Sequence, residues 1–480
     1  PPAPSPRETE EGTTMSTSAP PPDTGTAKDG TAERSTGDLA RAAMSGWLGT
    51  ALEFMDFQLY SLAAGLVFGQ LFFAGESPAL AVVSAMATYA VGYIARPVGA
   101  WYFGRLGDRV GRTKVLFITI ALMGGATTLI GALPTVHQIG VLAPILLAVL
   151  RLVQGFGAGA EISGAGVMLA EYAPTKRRGI IASLVALGTN CGTLGASAIW
   201  GILVAVLSEE QLLAWGWRIP FLGSAVILLF AVWIRFRLKE SPVFEESSHV
   251  NDGVALTTDE IRAKAEQEND IPMLEALEQK KWRALVPAFL LRFGQAGNSG
   301  ILQTYMVSFI TVTLAMSAAV GTSVVIVSSL CAFVTVPIVG ALGDKFGRRR
   351  MYQVMSVISL ILIVPTMMAI AGADVPQLFV GYIVMHNVSV MALASLENLT
   401  LPEIFGARHR YAATGVIREI AAMIATGVGP VVVAAWVAAA SGSWVPIAIM
   451  LGIFTVCPLI GTLLMPEVAG RDLRDPRNAV

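Results

Sequence analysis

Gly104-Arg-Leu-Gly-Asp-Arg-Val-Gly-Arg-Thr-Lys114 is a short, charged, glycine-rich link between two long apolar stretches. It returns as Gly340-Ala-Leu-Gly-Asp-Lys-Phe-Gly-Arg-Arg-Arg350, an offset of 236 from Gly104 in a chain of 480 residues. A second pair repeats at nearly the same distance: Glu171 and Arg178 bracket one polar link, Glu403 and Arg410 another, offset by 232. Two halves that carry the same loops are the mark of a chain built by duplication, a plan used by many secondary transporters.

Outward from these links the chain is oily. Hydrophobic residues make up 54% and charged residues 14%, against about 25% charged in soluble domains, and the mean hydropathy is +0.63. Runs near the ~20 apolar residues that cross a bilayer recur throughout. Twelve spans are expected, at 43–72, 79–103, 115–134, 140–171, 179–207, 217–238, 283–313, 318–342, 351–372, 376–401, 411–440 and 443–465. Lipid satisfies no backbone polar groups, so runs of this length can only be helices. Several exceed what a bilayer needs, which predicts tilted or bent helices. The fold class is therefore all-α and polytopic, with two similar halves at 43–238 and 283–465. Residues 1–42 are Pro, Ser, Thr, Gly and charge, an N-terminal tail too polar to fold alone. Met15 is a candidate natural start, and nothing ahead of the first span reads as a signal peptide. Residues 239–282 form a central linker and 466–480 a C-terminal tail. The end of the linker, Ile271 to Trp282, has helical spacing and is either a membrane-surface helix or a solvated one.

Lys and Arg orient the chain. The links holding Arg105 to Lys114, Lys176 to Arg178, Lys280 to Arg283, Lys345 to Arg350, and Arg408 and Arg410 are basic, whereas the alternate connections hold Glu76, His137, Glu209, Glu210 and Asp374. Basic links stay inside, which predicts that both termini are cytoplasmic and the protein lies in the inner or plasma membrane. Cys191, Cys331 and Cys457 all sit in apolar runs, and the four histidines are scattered. Neither a disulfide framework nor a metal site is expected, and no cofactor. A phosphate-binding Gly-x-x-x-x-Gly-Lys-Ser/Thr stretch is absent from the sequence.

Ionisable residues inside spans are the informative ones, because each costs about 2.5–3.5 kcal/mol at the bilayer centre. They are expected to face the bundle interior, paired with one another or with a solute. Glu53 and Asp56 lie three apart near the middle of the first span. A desolvated carboxyl there can hold a proton, so these two, with Glu161 of the fourth span, are the candidate proton-coupling acids. The competing reading is a fixed ion pair with Arg96 or Arg151. An arginine facing a central cavity is a fork for a carboxylate, which makes Arg96, Arg151 and Arg292 candidate solute ligands. Gln295, Asn298, Gln303 and Tyr305 lie along the seventh span, where they line the cavity or bond neighbouring helices. Arg418 and Glu419, near the basic-link end of the eleventh span, are read as structural, as are Glu171, Arg178, Glu403, Arg410 and Glu397.

The repeated link has its own mechanics. Asp108 and Asp344 are placed to cap the next helix or to accept bonds from Arg112 and Arg348, with Arg109 and Lys345 adding charge. Gly107, Gly111, Gly343 and Gly347 permit a tight turn, in gating loops that open at Gly104 and Gly340. Such a latch would hold one conformation shut; a purely topogenic role is the alternative.

Gly104–Lys114 and Gly340–Arg350 resemble the loop signature of the major facilitator superfamily, and the resemblance covers about residues 40–465. Ala95-Arg-Pro97, Arg151-Leu-Val-Gln-Gly155, Glu171-Tyr-Ala-Pro174, Ala214-Trp-Gly-Trp-Arg-Ile-Pro-Phe221 and Glu240-Ser-Pro-Val-Phe244 are similar to its metabolite:proton symporter branch, which includes shikimate, α-ketoglutarate and proline/betaine transporters. The resemblance implies two pseudo-symmetric six-helix bundles, a central cavity, rocking between inward- and outward-open states, and uptake of a small organic acid or zwitterion with protons. The sequence departs from that branch where a solute would sit. Glu53-Phe-Met-Asp-Phe57 has Met55 in place of the usual aromatic, Gly159-Ala-Glu-Ile-Ser-Gly164 lacks a tryptophan, and Leu184-Val-Ala186 replaces Trp-Pro-Gln.

The expectation is a proton-coupled symporter, not an enzyme, working as a monomer in the bilayer with no nucleic-acid partner. A proton-antiporting exporter of the same fold and a non-transporting membrane receptor are the rivals.

Overall fold

Helices stand at each of the twelve expected places in a computed structural model, which describes residues 36–110, 112–159, 178–237, 250–251, 254–255, 282–405 and 410–470. They are α1 (36–72), α2 (Pro78–Val110), α3 (Arg112–Ala132), α4 (Leu142–Ala158), α5 (Arg178–Val206), α6 (Arg218–Arg237), α7 (282–313), α8 (Ala318–Phe346), α9 (Arg348–Ala371), α10 (375–404), α11 (410–439) and α12 (Val445–Leu464). Among the described residues, eight helices are long and apolar enough to cross a membrane, or nine with the bent pair Glu209–Gly216 and Arg218–Leu229. The remaining expected spans coincide with the shorter apolar helices Phe117–Ala132 and Leu142–Ala158 and with α7, where Arg292, Gln295, Asn298 and Gln303 dilute the hydropathy. Of the linker only a two-residue hairpin, Val250–Asn251 with Val254–Ala255, is described; the expected helix at 271–282 lies outside the described residues up to Trp282.

Local chemistry sets the helix ends. Ser317 caps α8 by accepting from the Val320 amide, and Asp374 caps α10 by accepting from Gln377. Wide π-type turns interrupt α1 (Ala64–Phe68), α7 (Gly300–Tyr305 and Phe309–Thr313), α10 (Asn387–Met391) and α11 (Met423–Val428). Such turns re-aim side chains and are frequent at functional sites.

The repeated link is shorter than its sequence suggests. Helix α2 runs on through Gly104, Asp108 and Arg109 to Val110, and α8 runs through Gly340, Gly343 and Asp344 to Phe346. Gly340 and Gly343 are therefore helical and do not form the turn. In the second link the chain reverses at one residue, Gly347, at φ +92°; its counterpart Gly111 lies outside the described residues. A side chain at Gly347 would also collide with the Glu467 carboxylate. Gly347→Ala is expected to cost at least the ~1–2 kcal/mol of a left-handed non-glycine residue and to lower the melting temperature of purified protein. Gly452→Ala, in a helical position with open space around it, should leave it unchanged or slightly higher.

Packing is inverted relative to a soluble protein. Ile361 (68% exposed), Val226 (70%) and Leu463 (62%) face outward, while Glu53, Arg151 and Glu397 are at most 1% exposed. Across the two halves, α5 packs along α8 and α10, and α2 along α11. Away from the basic links, Gln58 Nε2 donates to the Gln303 carbonyl (3.0 Å), Thr311 Oγ1 to the Gly65 carbonyl (3.2 Å) and Thr304 Oγ1 to the Tyr89 hydroxyl (3.2 Å). Toward the basic links, the Ile180 amide donates to Asp344 Oδ2 at 3.2 Å.

Candidate functional site

A cavity of about 50 Å³ lies between the halves, with Tyr93 and Arg96 of α2, Arg292 and Gln295 of α7, Glu397 of α10 and Arg418 of α11 on its wall. That is room for a few waters. Polar side chains reach it because α2 and α4 approach backbone to backbone. A Cβ at Gly155 would fall on the Gly92 carbonyl and one at Gly159 on the Arg96 carbonyl.

Arg96 is the central group. Its Nη2 donates to Glu53 Oε1 of α1 (3.0 Å), and its Nε and Nη2 donate to both oxygens of Glu419 on α11 (2.8 and 3.2 Å). The guanidinium also lies 4.8 Å from the Phe57 ring centre and 5.3 Å from that of Tyr93, within cation–π range. Arg96, Glu53 and Glu419 are each at most 3% exposed. On the other wall, Arg292 Nη1 donates to Gln295 (2.8 Å) and to Glu397 (3.2 Å). Arg418 donates to Asn398 (3.1 Å) and stands 3.8 Å from Glu397. Among the described residues, three arginines and three glutamates thus meet here, and such pairing is the condition under which buried charge is tolerated.

Asp56 and Arg151 are elsewhere. Residues three apart on a helix diverge by about 60°, so Glu53 turns to α2 while Asp56 turns to α3, where Thr127 Oγ1 donates to it at 3.3 Å. Gln154 donates to Thr127 (2.8 Å), and Arg151 donates to Gln154. A hydrogen-bonded chain therefore connects Asp56 to Arg151. The Arg151 guanidinium stacks 3.9 Å from the Tyr60 ring centre and does not line the cavity. Asn298 donates to Thr455 (3.1 Å) and Tyr305 packs beside Phe309; neither lines the cavity, whereas Gln295 and Gln303 do. Arg418 and Glu419, adjacent in sequence, serve opposite walls.

At the second link, Arg348 donates to Asp344 (2.6 Å) and Glu403 (3.3 Å), and Lys345 sits over the Phe346 ring at 5.3 Å. The first amides of α9, Arg348 and Arg349, donate to Glu467 (2.8 and 3.1 Å). Sequence reasoning placed Glu467 in a tail; its one signal was a lone acid just after the last apolar run. It also passed over His386, which is fully buried with Nδ1 2.7 Å from Ser328 and Nε2 3.0 Å from Gln303. Glu161 and Glu171 lie outside the described residues, as do the side chains of Asp108, Arg109, Arg112, Arg178 and Arg410.

Residues 48–478 match the family model described as sugar (and other) transporter. YdfJ of Escherichia coli (strain K12) is 49% identical over 422 residues, 87% of this chain and 95% of YdfJ. The shikimate transporter of the same strain is 32% identical over 427 residues, covering 89% of this chain and 94% of its own length. Its proline/betaine transporter is 31% identical over 438 residues, 91% and 85% of the two chains. Among solved structures, a partially occluded inward-open conformation of the xylose transporter XylE from E. coli superposes with a TM-score of 0.69 at 16% identity, over 91% of this chain and 99% of that one.

Proposed function

This chain belongs to the sugar (and other) transporter family of the major facilitator superfamily, and on that premise we propose that it takes up a small organic acid or zwitterion together with protons. It is a multi-pass membrane secondary transporter and not an enzyme; the solute class, the proton coupling, the direction and the cytoplasmic placing of both termini are the proposal. One observation carries it: a cavity between the halves whose wall presents Arg96, Arg292 and Arg418, each already holding a carboxylate or amide oxygen. A solute carboxylate can exchange for those oxygens, since a guanidinium fork bonds any carboxylate in the same geometry. Relatives that carry shikimate or proline and betaine support this class of solute. Protons enter through the buried acids of α1. Asp56, reached from Arg151 through Gln154 and Thr127, is the proposed carrier, and Arg151 is a positioning residue. The driving force is the membrane's own, about 2.3 kcal/mol per charge per 100 mV. The expected working unit is a monomer.

Thermal-shift screening of purified protein against organic acids and betaines at two pH values identifies the solute, because a ligand stabilises the state it binds. With that solute in proteoliposomes, Asp56→Asn is expected to bind normally but to lose acceleration by an inward proton gradient. An Asp56→Asn protein whose uptake responds to the gradient like the original would remove Asp56 from the coupling role. Uptake driven by an outward gradient would favour the exporter.

A further inference from the structure

The Arg96–Glu419 contact joins the two halves. Arg96 and Glu53 belong to the first half and stay together however the halves move; Glu419 belongs to the second. Glu419 lies nine residues into α11 from its basic-link end, and Arg96 is more than halfway along α2 toward Val110. Together with Ile180–Asp344, the pair therefore closes the side of the interface that carries the basic links. The third arm of the Arg96 fork, Nη1, makes no hydrogen bond among the described residues, and Arg96 lines the cavity.

We propose that Glu419 is the proton-responsive latch of this closure: ionised, it clamps Arg96 across the interface; protonated, it lets α2 and α11 part. This rests on the reading of the chain as a proton-coupled transporter. A carboxylate accepts both arms of a guanidinium, but a carboxylic acid has one oxygen that donates and cannot face an N–H. Arg96 holds one carboxylate from each half, so releasing Glu419 leaves the Arg96–Glu53 pair in place within the first half. The other charged or titratable groups around this contact are Tyr93, beside Arg96 on α2, and Arg418, adjacent to Glu419 on its own helix, whose charge is felt by Glu397, Arg292, Glu419 and Glu53. Glu397 is occupied by Arg292 (3.2 Å), and Arg418 bonds Asn398 (3.1 Å), so neither arginine is hydrogen-bonded to Glu419 in Arg96's place. The proton reaches Glu419 from the basic-link side, rests on it as the neutral acid while the closure is open, and returns to the same side before the clamp reforms, so the latch itself carries none across the membrane. A solute carboxylate on Arg96 Nη1 would compete for the same charge and loosen the clamp in the same direction.

The test needs no solute. Hydrogen–deuterium exchange of the protein in detergent is measured at about pH 4, within the ordinary carboxylate range, and at pH 7.5, corrected for intrinsic exchange. Amides of 97–110 and 410–418 are expected to exchange roughly tenfold faster at the lower pH, the lower end of what a charged hydrogen bond is worth. Glu419→Gln should show the fast rate at both pH values, and Glu419→Asp should restore part of the pH response. Asp56→Asn should keep it. A wild-type protein whose exchange there ignores pH overturns the proposal, which holds even if the variants fold poorly. So does a Glu419→Gln protein that responds as wild type does. Either result leaves proton-driven uptake standing, which the proteoliposome assay judges separately.

Discussion

Replacing Arg96 with Met is expected to abolish proton-driven uptake and to lower the melting temperature more than any other single change on the cavity wall. Met keeps the length of the aliphatic stem but removes the cation shared by Glu53 and Glu419. Breaking a buried ion pair from one side costs about 3–5 kcal/mol because the remaining charge is left uncompensated, and here two carboxylates each lose their bonds to the cation. The loss should be partly reversed by adding Glu419→Gln, which removes the charge that Arg96 held across the interface. Arg96→Met and Glu419→Gln are thus strongly non-additive, a coupling that a double-mutant cycle in thermal unfolding reads directly. Arg96→Lys should fall between: the charge stays, but a point ammonium cannot hold Glu53 and both oxygens of Glu419 as the planar fork does. Additive effects of Arg96→Met and Glu419→Gln would mean that the two side chains do not meet.

Gly155→Val should be about as damaging, by a different route. The Cβ of any residue at 155 would fall on the Gly92 carbonyl of α2. Backbone cannot yield as a rotamer can, so the cost lies at or above the ~1–3 kcal/mol typical of an overpacked core. Moving α2 off α4 also moves Tyr93 and Arg96, so uptake should be lost together with stability and yield. Gly125→Ala on α3, with open space around it, is the matched control and should transport normally. A Gly155→Val protein with wild-type melting temperature and uptake would contradict the backbone-to-backbone packing of α2 on α4.

Most of the fold was legible because lipid leaves so few options: a run of apolar residues between basic links can only be a helix. The helix ends were less legible. The repeated link reads as a loop because it is charged and glycine-rich, yet α2 and α8 continue through it. Glycine and Asp lower helix propensity by amounts that a neighbouring long helix overrides, and the Arg and Lys of the link are themselves good helix formers; only Gly347, with its positive φ, truly breaks the second copy. Of the site, the residue types were readable and the partners were not. Glu53, Asp56, Arg96 and Arg292 stand out as charges in oil, but which of them meet depends on helix rotation and on contacts between residues such as Arg96 and Glu419, 323 positions apart. Arg151 was expected at the solute because it is charged; its stacking on Tyr60 could not be foreseen from spacing. Glu419 is read as structural from its place near the basic-link end of the eleventh span, and nothing in the sequence points to its bond with Arg96. Of the departures, Ala186, which stands where the branch has Gln, lines the cavity, whereas Met55 does not.

Solute-induced proton movement tests the central claim most directly. Proteoliposomes containing the protein are suspended in weakly buffered medium with a pH dye outside, and the solute found by thermal shift is added. The account predicts that the outer medium turns alkaline as solute enters, and that Asp56→Asn abolishes the alkaline shift. Acidification of the medium during uptake, or solute entry with no change in pH, would contradict it.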